Sequence, residues 1–244
     1  MNASVQAAEA VERWPRRVVA ELLDALPPDD PRARRSRRDL RLVNAIMRHA
    51  ALLAGALDAV AAPPLRLVEL GAGDGTLLLA LARRRAHRWP KAAVTLLDAQ
   101  PSVTPETLAA LRAIGWTVEV ATADALEWLE DPPQQRNAVV LANLFVHHFD
   151  GERLARLLAG VAARAEAFVC CEPRRARVAL LGSHMLWAIG CNDVTRHDAV
   201  VSVHAGFRDR ELGAEWQRAV GPGWHIDETP AGAFSHLFVA RRAP

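Results

Sequence analysis

From residue 65 onward, short apolar runs alternate with helical stretches, and this alternation restricts the fold more than any other feature of the chain. Residues 65–70, 93–97, 137–142 and 167–171 read as buried strands, and 116–121 alternates as a strand does. Residues 75–88, 105–114 and 151–164, which separate them, read as helices. Strands divided by helices call for right-handed crossovers and a parallel sheet covered on both faces. Residues 224–229 and 234–242 depart from this rule. Only Pro230-Ala231-Gly232 joins them, which leaves no room for a helix and predicts an antiparallel hairpin. The expected class is therefore α/β, a doubly wound, mostly parallel seven-stranded sheet with a C-terminal antiparallel hairpin. A long, mainly helical insertion, residues 173–220, separates the fifth strand from the hairpin.

A helical preface precedes the sheet. Val11, Trp14, Val18, Leu22 and Leu26 recur at intervals of three and four and predict a helix over 3–26, ended by Pro27-Pro28-Asp29-Asp30-Pro31. A basic run, Arg32 to Arg41, leads into a second helix with Leu40, Val43, Ile46, Met47, Ala50 and Leu53 on one face, and Pro63-Pro64 closes the preface. The run reads as a solvated helix start, a phosphate-contacting strip or a membrane-surface patch; no aromatic side chains interleave for base stacking. With 244 residues, 51% hydrophobic and 24% charged, the chain suits one catalytic-size domain plus a small appendage. Composition excludes a disordered tail, a collagen-like chain and a disulfide-stapled miniprotein. A net charge of +2 is too balanced to indicate a polyanionic partner.

Cys170, Cys171 and Cys191 lack CxxC spacing, and the adjacent pair would point to opposite faces of a strand. Neither a disulfide framework nor a metal site follows. The first residues lack the apolar core of a signal peptide, and no apolar run approaches the roughly 20 residues that span a bilayer. A soluble, cytoplasmic protein is expected.

Chemistry concentrates in Val68-Glu69-Leu70-Gly71-Ala72-Gly73-Asp74-Gly75, which joins the first strand to its helix, where open α/β sheets bind ligands. The glycine spacing is GxGxG, not the GxGxxG of a dinucleotide fingerprint. Glu69 and Asp74 bracket the loop; two carboxylates oppose a pyrophosphate and suit a cofactor carrying an ammonium and a sulfonium. Asp98 ends the next strand, placed to accept from ribose hydroxyls, a position that NAD enzymes share. Asp124 follows the third strand and reads either as a helix N-cap or as a ligand of an adenine edge.

VELGAGDG, LLDA, TADAL and ANLFVHHFD, in this order and followed by the closing hairpin, resemble the class I S-adenosylmethionine-dependent methyltransferases over roughly residues 65–244. The run 143–149 looks most like their small-molecule, quinone-biosynthesis-like group. The resemblance implies S-adenosylmethionine as cofactor. It implies that Glu69, Gly71, Ala72, Gly73 and Gly75 cradle the methionine moiety and that Asp98, with Ala99, holds the ribose. It further implies that Asp124 and Ala125 border the adenine, and that Asn143 and Leu144 line the sulfonium end. Residues 1–62 would form a helical lid, and 63–244 the cofactor-binding domain, with 173–220 covering the acceptor.

Methyl transfer from a sulfonium is a direct displacement, so the protein mainly aligns the acceptor and excludes water. An oxygen or acidic-carbon acceptor also needs a base. His147 and His148, just beyond the fourth strand, are the candidates; each reads equally as a structural histidine, and the resemblance favours His148. Glu172, ending the fifth strand, is a candidate for orienting a substrate hydroxyl. In the insertion, Val178, Leu181, Met185, Leu186 and Ile189 near helical spacing read as core or as pocket roof, and His197 or Arg196 would reach a hydroxyl-bearing acceptor. The expected reaction is methylation of O or C of a small, aromatic or apolar, phenol- or quinol-like acceptor. Alternatives are a non-catalytic cofactor-binding partner subunit and a nucleic-acid methyltransferase; against the latter stand the charge balance and the missing Pro-Pro-aromatic run after Asn143. Peripheral membrane contact and a monomer or homodimer are compatible with the sequence.

Overall fold

The computed structural model describes residues 14–61, 65–131 and 138–243. Strands form at the apolar runs: β1 (Arg66–Leu70), β2 (Ala93–Asp98), β3 (Thr117–Thr122), β4 (Ala138–Asn143), β5 (Ala165–Pro173), β6 (Trp224–Ala231) and β7 (Ser235–Arg242). They lie in the order β3-β2-β1-β4-β5-β7-β6, with β1 to β5 parallel and β7 antiparallel to both β5 and β6. This is the expected seven-stranded sheet with its closing hairpin. The strand order reverses between β1 and β4, so the loops leaving these two strands diverge and open a crevice.

The helices are α1 (Leu22–Ala25), α2 (Pro31–Ile46), α3 (His49–Val60), α4 (Thr76–Arg85), α5 (Pro105–Ala113), α6 (Ala125–Glu130), α7 (Gly151–Arg164), α8 (Arg177–His184), α9 (Asp193–Ala205) and α10 (Glu211–Val220). Alternation along the strands sends successive side chains to two cores. Leu67, Leu96, Leu141 and Val169 meet Leu53 and Leu57 of α3 and Leu78 and Leu81 of α4. Leu70, Leu97, Val140 and Phe168 meet Leu154, Leu157 and Leu158 of α7 and Trp216 of α10. Cys170 and Cys171 fall in opposite cores as free thiols, as their adjacency on a strand predicts. No single helix among the described residues is long and apolar enough to cross a membrane.

The helical preface differs from its sequence pattern. Of the expected helix over 3–26, residues 3–13 lie outside the described residues, as do Pro63-Pro64 and Asn137. Residues 15–21 form no regular secondary structure, and only the single turn of α1 is helical. Tertiary partners replace the helical bonds. Trp14 Nε1 donates to His204 Nδ1, and Arg17 N donates to the His204 carbonyl. Arg16 donates to the carbonyls of His147, Phe149 and Ala205, and the Asp198 carboxylate accepts from Leu22 N and Leu23 N. The segment is thus a strap laid along α9. The basic run does not lead into the second helix but builds its first turns, with Pro31 at the start and Asp30 accepting from Arg32 N. The second helix is also split: Arg48, in the left-handed region at φ 59°, separates α2 from α3, which meet at a bend of 60°. The bend keeps α2 over the crevice while Leu53 and Leu57 of α3 enter the core.

Candidate active site

The β1–α4 loop turns through residues that require positive φ. Gly71 (φ 66°) and Gly73 (φ 55°) adopt it at no Cβ penalty. A Cβ on Gly71 would stand 2.3 Å from the Phe145 ring, whereas one on Gly73 would meet nothing within 4 Å. Asp98 ties this loop to β2: one carboxylate oxygen accepts from Gly73 N at 2.8 Å, the other from Gln100 N at 2.8 Å. Asp124 accepts from Leu126 N and Glu127 N and so is the N-cap of α6, while also facing the crevice.

Glu69 is 2% exposed, and its Oε2 is a buried atom without a hydrogen-bond partner. Burial first, then the carboxylates of Asp74 and Asp98, push its pKa up to about 8. An orphaned carboxyl oxygen beside two further acids fits a cationic ligand group. The side-chain oxygen of Asn143 is likewise buried and unpartnered, while its amide donates to Asn44 Oδ1 at 3.2 Å.

A cavity of about 960 Å³ runs from this loop to an apolar end formed by Leu40, Val43, Met47, Met185, Leu186 and Phe234. Glu69, Gly71, Ala72, Gly73, Asp98, Ala99, Asp124, Ala125, Asn143 and Leu144 all line it, so the structure brings together ten of the eleven residues expected around the cofactor. Gly75 is the exception. It caps α4, and the space beside its Cα is taken by Thr107 and Leu96.

The acceptor-side expectations need more revision. His147 is buried, with Nδ1 2.8 Å from Glu172 Oε2 and Nε2 3.2 Å from Glu21 Oε1. Burial favours its neutral form, but the two carboxylates outweigh this and raise its pKa to about 9. It is a cation clamped between two anions, which is unsuited to taking a proton. Glu172 is 0% exposed and does not line the cavity. Its oxygens accept from the backbone N–H groups of Phe145, Val146 and His147 as well as from the His147 ring. Burial tends to raise its pKa; the His147 interaction and the backbone donors prevail and lower it. Glu172 therefore fixes the β4 loop and has no capacity left for a substrate hydroxyl.

His148 lines the cavity at 22% side-chain exposure, with Nδ1 3.4 Å from Asp24 Oδ2 and Nε2 4.0 Å from Glu21 Oε2. Burial and then the His147 charge lower its pKa to about 4, so it is neutral at pH 7. His197 and Arg196 do not reach the cavity. They line a separate shallow depression with His184 and Trp187, and His197 pairs with Asp198 at 2.9 Å. The stripe of 178–189 is not core: Val178, Leu181, Met185, Trp187 and Ile189 are all exposed, and Met185, Leu186 and Ile189 edge the cavity. The basic run is largely paired, Arg32 with Asp30, Arg35 with Asp39, Arg37 with Gln100 and Arg41 with Asp74. Sequence reasoning missed Glu21, Asp24 and Asn44, which the strap and α2 deliver from far along the chain; no local motif marks them.

Residues 67–166 match the family model of a methyltransferase domain. That span carries the glycine loop, Asp98, Asp124, Asn143 and His148. The matched residues form a methyltransferase domain, and its sheet order supports the class I S-adenosylmethionine-dependent type. A methyltransferase domain indicates an enzyme and supports S-adenosylmethionine as the cofactor of the matched residues. Solved structures share the methyltransferase fold. An O-methyltransferase family protein from Burkholderia thailandensis superposes with a TM-score of 0.59 at 19% identity, over 88% of this chain and 61% of its own. The plantazolicin methyltransferase BpumL in complex with SAH gives 0.63 at 11% identity, over 88% and 91%. The pyocyanin biosynthetic protein PhzM gives 0.58 at 20% identity, over 88% and 60%. The chain thus spans about three fifths of the first and third of these proteins. No curated protein matches the sequence.

Proposed function

We propose that the enzyme methylates an oxygen or carbon of a small, largely apolar acceptor, of phenol or quinol type, seated in the apolar half of the cavity. The observation that carries this reading is the continuity of one cavity from the acid-lined glycine loop to the Leu40–Met47–Leu186–Phe234 end. The cofactor supplies a methyl group on a sulfonium, the electrophile of the reaction. Glu69 faces its ammonium, Asp98 its ribose, Asp124 and Ala125 its adenine, and Asn143 and Leu144 the sulfonium end. Glu21, Asp24 and His148 supply polar contacts beside the acceptor, and neutral His148 accepts the hydrogen bond of an acceptor hydroxyl. Residues 1–62 act as a lid and 173–220 as a roof, which together exclude water. Two structural neighbours, a plantazolicin methyltransferase and a pyocyanin biosynthetic protein, support a small-molecule or natural-product acceptor.

Calorimetric titration with S-adenosylmethionine, with NADH as comparison and Asp98→Ala as control, tests the cofactor half. Saturable binding of the sulfonium alone, weakened by the substitution, is expected; preference for NADH would overturn the reading. Mass-spectrometric screening of phenols and quinols against amines and oligonucleotides then tests the acceptor half, and methylation confined to the amines or oligonucleotides would refute it.

A further inference from the structure

Glu21, His147 and His148 meet where the strap crosses the short 3₁₀ turn that follows β4. Glu21 Oε1 lies 3.2 Å from His147 Nε2, and Glu21 Oε2 lies 4.0 Å from His148 Nε2. One donor atom from each residue lies within 4.8 Å of the other two. Zinc bonds of about 2.0–2.2 Å in a tetrahedral shell place ligand atoms about 3.2–3.6 Å apart, so side-chain rotation closing the group by about an ångström suffices.

The far side of each ring is arranged in the same way. His147 Nδ1 faces Glu172 at 2.8 Å, and His148 Nδ1 faces Asp24 at 3.4 Å. Both imidazoles thus present Nε2 to Glu21 and Nδ1 to a separate carboxylate. A carboxylate on the outer nitrogen is the usual partner of a metal-bound imidazole, because it holds the outer N–H; at His147 the ion takes the place of the Nε2 proton, which leaves to solvent. Glu172 is itself held by backbone N–H groups, so this orientation is rigid. All three inner residues line the cavity, which leaves a further coordination position open towards it.

We propose that Glu21, His147 and His148 form a binding site for one divalent transition-metal ion. Two imidazoles and one carboxylate suit zinc, with a water or an oxygen donor of the acceptor completing the shell. With the ion bound, His148 is a ligand, and a hydroxyl reaching this point meets the ion rather than the imidazole. The ion also ties the strap to the sheet, since Glu21 is the only member of the group that comes from the preface. The site stands on geometry alone and needs neither the cofactor nor an identified acceptor.

The test is calorimetric titration of the EDTA-dialysed full chain with ZnCl₂, together with the visible absorption of the chain loaded with Co²⁺. One Zn²⁺ per chain is expected. Losing an outer partner already weakens metal binding about 10–100-fold, so Glu21→Gln and His148→Gln should each weaken it by more than about 100-fold. The paired substitution His184→Ala with His197→Ala, in the separate shallow depression, should leave binding intact; its loss there would assign the ion to the surface and overturn the proposal. No stoichiometric binding, or binding that survives both Glu21→Gln and His148→Gln, would overturn it equally. The Co²⁺ spectrum is taken on the unaltered chain, so it decides even if a variant misfolds. Intense bands of a four- or five-coordinate ion support the site, and the weak spectrum of six-coordinate aqueous cobalt refutes it.

Discussion

With a pKa of about 8, the Glu69 carboxyl is mostly neutral at pH 7 in the ligand-free protein. A carboxyl whose folded pKa lies above its unfolded value stabilises the fold fully below the unfolded value, near 4.5, and that contribution is lost as pH rises through about 8. Glu69→Gln removes the dependence. Urea unfolding should therefore show the variant gaining on the unaltered protein between pH 5 and pH 9. An ammonium beside Glu69 favours the ionised form, so affinity for S-adenosylmethionine should climb towards pH 8 with proton release, more steeply than in the Gln variant carrying the same ligand. The two glycines separate fold from ligand. Gly73→Ala meets no neighbour and should cost about 1–2 kcal/mol from positive φ alone, yet block the cofactor. Gly71→Ala drives a methyl into the Phe145 ring and should lower the melting temperature further. These residues were legible because the loop is local in sequence. The role of His147 was not, because its partner Glu21 lies 126 positions away.

Among the elements, α5 and α7 begin where their sequence patterns begin, and the strands fall within about two residues of theirs, because buried apolar runs and caps act locally. The strap did not follow its helical spacing. Its backbone donors are taken by α9, an override that no three-to-four periodicity can announce. Asp198→Ala removes the acceptor of Leu22 N and Leu23 N, a loss of cap type costing about 1 kcal/mol. Limited proteolysis should then cut within residues 14–30, and acceptor turnover should fall. Affinity for S-adenosylmethionine should hold, since Asp198 touches no part of the glycine loop. Unchanged proteolysis would show that the strap is held elsewhere.

For the whole molecule, ligand binding reports through stability. S-adenosylmethionine at a hundred times its Kd contributes about 2.7 kcal/mol. For a chain of this size that should raise the melting temperature by about 5–10 °C. NADH at equal concentration should leave it unmoved, a contrast that scanning calorimetry reads directly. The strap also sets an order of assembly. Among the described residues its anchors are the side-chain hydrogen bonds of longest sequence separation: Trp14 waits for His204, 190 positions on, and Arg16 for Ala205, 189 positions on. During biosynthesis the strap emerges from the ribosome well before α9 and finds no surface to rest on until α9 exists. Closing so long a loop carries the heaviest entropic cost, so docking comes last in folding and undocking first on heating. The nascent protein therefore owns its glycine loop before the cavity beside that loop has a wall.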